Sequence, residues 1–165
     1  MLTGVSVRDE SPDFDFLNQT SARIREIFHY WYDRRRPCGM PRRADFDPAD
    51  LPWHLPGILL IDVEDVDAEG VGVYRYRVVG TGEVDSRGYD PTGKLIRDGF
   101  FGPSLAAALA AYETVRQSGS YLYEPLTFVT ADFRRIEEYS ILLPFSENGE
   151  TVSQILVFSE RRERR

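Results

Sequence analysis

The order of elements predicts an α+β fold: a five-stranded antiparallel sheet with a helical flank and an amphipathic helix ahead of it. Two β-like runs come first, a helical middle follows, and three more β-like runs close the chain. Alternating side chains mark the strands, and a stripe at helical spacing marks the leading helix. At 165 residues and 42% hydrophobic, the chain makes one domain with room for a real core.

Residues 1–11 read as poorly ordered. A helix is expected over residues 15–36, with Leu17, Ile24, Ile27, Phe28 and Trp31 on one stripe and Arg34, Arg35 and Arg36 at the negative end of its dipole. Pro37, Gly39 and Pro41 break it. The stripe must cover something, and one face of the sheet is the obvious surface. Asp47 caps a short turn with Pro48 in first position. Strands are expected over residues 58–66 and 72–82, where Tyr74, Tyr76 and Val78 alternate with Val73, Arg75, Arg77 and Val79. Gly80 and Gly82 allow a sharp turn into the helical middle. Residues 85–98 read as turns or short helices. A longer helix then has Gly102 at its cap, Pro103 at its first position, Leu105, Leu109, Tyr112 and Val115 on one face, and Gly119 past its end. The last three strands span residues 120–130, 135–145 and 150–160, the final pair joined at Glu147-Asn148-Gly149.

Several stretches of this sequence carry a family likeness. Tyr30-Trp31 precedes an arginine run, and Met40-Pro41-Arg42-Arg43-Ala44-Asp45-Phe46-Asp47-Pro48 leads on to Leu51-Pro52. Leu60-Ile61-Asp62-Val63, Tyr76-Arg77-Val78-Val79-Gly80-Thr81, Asp90-Pro91-Thr92-Gly93-Lys94 and residues 138–145 follow in order. With the order of elements, these resemble the PAS superfamily, and within it a family of small, stand-alone bacterial PAS proteins. The resemblance implies an N-terminal extension over residues 1–43, a PAS domain over 44–160 and a charged tail over 161–165. It also implies a sensory or interaction module whose signal passes to a signalling protein in trans. The chain departs from two well-marked cofactor types. Flavin-photoreceptor PAS domains carry a reactive cysteine in an Asn-Cys-Arg-Phe-Leu-Gln helix, whereas Cys38, the single cysteine, lies ahead of the sheet. Oxygen-sensing haem PAS domains use a histidine on the long helix, and residues 103–118 hold none. The cofactor is therefore left open, with both of these types disfavoured.

The chemistry elsewhere is thin. A single cysteine excludes an internal disulfide and a cysteine-based zinc cluster, and His29 and His54 lie in unrelated segments, so no metal is expected. A net charge of -7 argues against general nucleic-acid binding. No apolar run suits an integral membrane segment and no secretory leader is visible, so a cytoplasmic location is expected. The arginine clusters at residues 34–43 and 161–165 read more economically as solvated ends than as docking sites for acidic partners.

A ligand pocket, if present, would be lined by Arg77, Val79, Leu105, Leu109, Tyr112, Phe128 and Ile141. The simpler alternative is that these residues are plain core. Alternation places Arg75 and Arg77 together, so one of them is expected on the concave face. Its partner there would be an acid such as Asp62 or Glu138, or a ligand anion. Ile24, Phe28 and Trp31 are candidates for a homodimer interface, with packing on the chain's own sheet as the alternative. The leading expectation is a non-enzymatic sensory or regulatory module that binds a small ligand, a protein partner or both. Its rivals are a small α+β-cone enzyme of isomerase or dehydratase type, with Glu124 or Asp132 as general base, and a ligand-free adaptor.

Overall fold

In the computed structural model, which describes residues 14–164, one antiparallel sheet of five strands separates two layers of helices. The strands are β1 (Ile58–Val66), β2 (Gly72–Val79), β3 (Leu122–Val129), β4 (Arg135–Phe145) and β5 (Gln154–Arg164), in the spatial order β2-β1-β5-β4-β3. The helices are α1 (Ala22–Asp33), α2 (Thr81–Arg87), α3 (Ile96–Gly99) and α4 (Leu105–Ser118). The expectation for residues 1–11 falls outside the described residues.

Strand alternation divides the core in two. Leu60, Ile141, Leu143, Phe145, Leu156 and Phe158 face α1, and Ile24, Ile27, Phe28 and Trp31 of that helix cover them. Leu59, Ile61, Tyr74, Tyr76, Leu142, Ile155 and Val157 face the other way, under Ile96 of α3 and Ala111, Tyr112 and Val115 of α4. The indole N–H of Trp31 donates to the Pro144 carbonyl at 2.9 Å, so its polar edge is satisfied within the core.

The long N-terminal helix expected over residues 15–36 is two pieces. Asp15–Gln19 is a 3-10 helix, and α1 begins anew after Ser21, whose hydroxyl accepts the Ile24 amide at 3.2 Å. Asn18, Thr20 and Ser21 offer the backbone local partners that compete with a continuous helix. Similarly, Ser104 rather than Gly102 caps α4, accepting the Ala107 amide at 3.1 Å, which leaves Pro103 just outside. Gly119 closes that helix in the left-handed conformation, as its position predicts. Gly80 ends β2 for a different reason from the one expected. Its φ is ordinary at -62°, but a Cβ there would lie 2.6 Å from the Pro56 carbonyl oxygen. Space, not backbone freedom, demands glycine.

The largest revision concerns the end of the chain. Residues 161–164 are not a solvated tail but the continuation of β5, paired with β4 as far as Arg135↔Arg164. Cross-strand charge holds them there: Arg161 pairs with Glu138, Arg164 with Glu137 at 2.7 Å, and Arg134 with Glu163 at 3.6 Å. β5 also starts later than expected. Asn148 accepts the amides of Glu150 and Thr151, each at 2.8 Å, which builds a longer loop between β4 and β5.

Candidate functional site on the helical face of the sheet

The face of the sheet beneath α2, α3 and α4 gathers most of the expected pocket residues. Tyr112 is buried there, and Val79, Leu105 and Leu109 pack half-buried at its margin. Phe128 lies on the same side of β3 as Leu122, half-buried and further towards the β3–β4 turn. Two of the expected residues belong elsewhere. Ile141 is fully buried on the opposite face, against α1. Arg77 is exposed because the register moves from Leu60↔Val78 to Ile61↔Tyr76, which leaves Arg77 as the extra residue of a bulge. The bulge also lets Tyr76 and Val79 share one face. Tyr74 and Tyr76, not the arginines between and beyond them, therefore fill this side of β2.

The expected partners change accordingly. Arg75 reaches Glu64 at 3.2 Å and the Gly93 carbonyl at 2.6 Å, while Asp62 accepts from Gln154 at 2.7 Å. Glu138 is taken by Arg161.

A buried ionic cluster that sequence reasoning missed stands on this face. Glu83 and Arg87, one turn apart on α2, pair at 2.7 Å with their side chains 4% and 3% exposed. Arg161 of β5 reaches back to Glu83 at 3.3 Å, while its Nε donates to Glu138 of β4. Arg87 also lies beside Tyr76, 5.7 Å from the ring centre, and its own Nε has no hydrogen-bond partner. Thus one arginine ties α2 to two strands, and a second is held almost dry behind it. Such an arrangement is costly to build and costly to break, because removing one charge strands the other. The i,i+4 spacing of Glu83 and Arg87 was visible in the sequence; Arg161 was hidden by its place in an apparent tail.

Glu124 stands on the same side, opposite Ser140 and exposed. Partial burial and the nearby Glu138 charge push its carboxyl up. Asp132 is far from it in role, since it sits in the β3–β4 turn, where the Thr130 hydroxyl and then Arg134 hold its carboxyl below the usual range. The two acids named for the enzyme reading thus do not form one site.

Ile24, Phe28 and Trp31 are 0%, 0% and 1% exposed within the single chain. They are core residues, and a dimer could use them only by exchanging the whole helix. Cys38 is exposed, with its thiol 3.4 Å from the Met40 carbonyl. His29 is exposed, while His54 is buried with Nε2 2.7 Å from the Arg23 carbonyl. Among the described residues, no three metal-binding side chains converge, and no helix is long and apolar enough to cross a membrane.

The family model described as PAS domain matches residues 19–158, which takes in α1 to α4 and every strand except the outer end of β5. The chain belongs to the PAS family. Solved structures similar to this PAS domain include the Rhodobacter sphaeroides LOV protein, at 16% identity and a TM-score of 0.45, over 63% of this chain and 58% of that one. A fungal LOV domain photoreceptor matches at 12% identity and a TM-score of 0.46, over 86% and 95% of the two chains. The photo-excited blue-light photoreceptor Vivid matches at 14% and 0.45, over 82% and 94%. The chain thus spans less than two thirds of the Rhodobacter protein. No protein of curated function matches the sequence. PAS domains are typically sensory or signalling modules and usually non-catalytic.

Proposed function

We propose that this PAS domain is a non-enzymatic sensory or regulatory module, acting in the cytoplasm, that binds a small ligand on the helical face of its sheet and signals to a protein partner in trans. The observation that carries this reading is the ionic bridge from α2 to β4 and β5 through Glu83, Arg87, Arg161 and Glu138. A ligand bearing a carboxylate or a cation competes with one member of this bridge and frees α2 from the strands. The ligand need only bind the released form better than the tied one. Tyr76 and Tyr112 fill the middle of the face, which gives specific support to a second reading, a ligand-free adaptor. A homodimer formed by exchange of α1 is compatible with either.

A native mass spectrum of the purified full chain, set against its denatured mass, tests the proposal. Extra mass lost on denaturation, together with faster amide exchange across Thr81–Arg87 when the compound is bound, is the expected result. Exchange across α2 that is the same with and without the retained compound would overturn α2 as the transmitting element. A chain that carries no added mass favours the adaptor.

A further inference from the structure

The sheet has a step in its middle. β1 begins at Ile58, opposite Phe158, but β5 runs on to Arg164 with β4 along one side only. Residues 159–164 therefore have no strand on the side that β1 vacates, among the described residues. The Val63 amide donates to the Ser153 carbonyl at 3.0 Å, and alternation along β5 from that pair turns the N–H and C=O groups of Arg161 and Glu163 towards the vacant side. Ser159 is already met by the turn before β1, where Gly57 comes close to its carbonyl. A hollow of about 320 Å³ opens at this step, walled by Arg23, Trp53, Phe158, Arg161 and Arg162, with the Glu160 carboxylate also on its wall.

From this juxtaposition we propose that the step docks an extended, acidic segment of a partner protein, which adds to the exposed edge of β5 as a short strand. Main-chain bonds to Arg161 and Glu163 supply the pairing, and side chains supply the selection. Among the described residues neither Arg23 nor Arg162 forms a salt bridge, and the Arg162 guanidinium lies only loosely over the Tyr139 ring, 5.9 Å from its centre, so both can meet carboxylates of the incoming strand. Trp53 is 75% exposed on the rim, a flat apolar anchor of the kind that dominates interface energies. The chain as a whole carries a net charge of -7, so the guanidinium groups of Arg23 and Arg162 at the step are where an acidic strand finds its complement. A second copy pairing antiparallel through Arg161 and Glu163 would set Arg162 directly opposite its own counterpart, a like-charge contact that disfavours self-pairing here. The inference rests on the reading that the module acts through a partner, and it names the chemistry of that partner.

The test uses the full chain as bait for a phage-displayed library of random decapeptides, with the R23E/R162E variant as the counter-selection. Enriched peptides are expected to alternate Asp or Glu with Val, Ile or Tyr and to bind the variant at least tenfold more weakly. They should also slow amide exchange at Arg161 and Glu163. Trp53 emission should shift on binding, and W53F should abolish the shift, because Trp31 is buried away from the step. Peptides selected equally by both proteins, or bound without protecting those two amides, would overturn the step as the site while leaving a partner elsewhere on the domain. Failure to select any peptide would overturn it as well. The wider reading of a ligand-responsive module fails on a different result, unchanged exchange across α2.

Discussion

Glu113 illustrates how much a single side chain can join. From α4 it accepts the Gly72 amide at 2.6 Å, the Tyr74 hydroxyl, and Arg116 at 2.8 Å, so one carboxylate fastens the helix to the start of β2. Arg116, assisted by Tyr74 and the Gly72 amide, pulls its pKa down to about 2 from an ordinary 4.5. A carboxyl lowered in the folded state contributes stability that is complete above the unfolded value and is lost as pH falls through the folded one. Stability should therefore drop between about pH 4.5 and pH 2 through this group, and E113Q should flatten that part of the profile. At pH 7 the E113Q variant should lose about 2 kcal/mol, as expected for hydrogen bonds to a charged acceptor, measurable by urea unfolding. None of this was legible from the sequence, where Glu113 is the one acid of α4 and nothing local tells that Gly72 and Tyr74 will meet it.

Helix α2 is the element whose attachment matters most for the proposed signalling. Its Glu83–Arg87 pair is a local feature of the sequence, but its surroundings come from far along the chain, with Tyr76 and Phe101 beside Arg87 and Arg161 of β5 on Glu83. R87M should destabilise the domain by about 2–3 kcal/mol, because buried Glu83 loses its 2.7 Å partner and keeps only the longer contact to Arg161. The double variant E83M/R87M should lose distinctly less than R87M alone, since no buried carboxylate is then stranded. Parallel urea curves for the wild type, the single and the double variant decide this, and an R87M loss below that of the double variant would refute the coupling. The N-terminal helix, in contrast, was legible at this scale: the stripe of Leu17, Ile24, Ile27, Phe28 and Trp31 is buried as its spacing predicts. Its break at Ser21 was not read, because helical periodicity continues across the gap while the capping hydroxyl resets the backbone.

For the whole molecule, the two-sided sheet makes α1 a structural necessity. Deleting residues 1–36 uncovers Leu60, Ile141, Leu143, Leu156 and Phe158, so the shortened protein should aggregate or change its association state. Light scattering and native mass measure this, and unchanged solubility and mass would contradict the packing described. The sequence by itself determined the class of fold, the number and order of strands, and which stripe of α1 is apolar, because these follow from side-chain period and turn residues within short windows. The tertiary structure alone decided where the arginines work. A bulge turned Arg77 outward, extended pairing turned an apparent tail into the end of β5, and burial made Arg87 and Arg161 partners of acids on other elements. Register and burial depend on contacts between residues far apart in the chain, and local pattern carries no record of which distant charge will lie opposite.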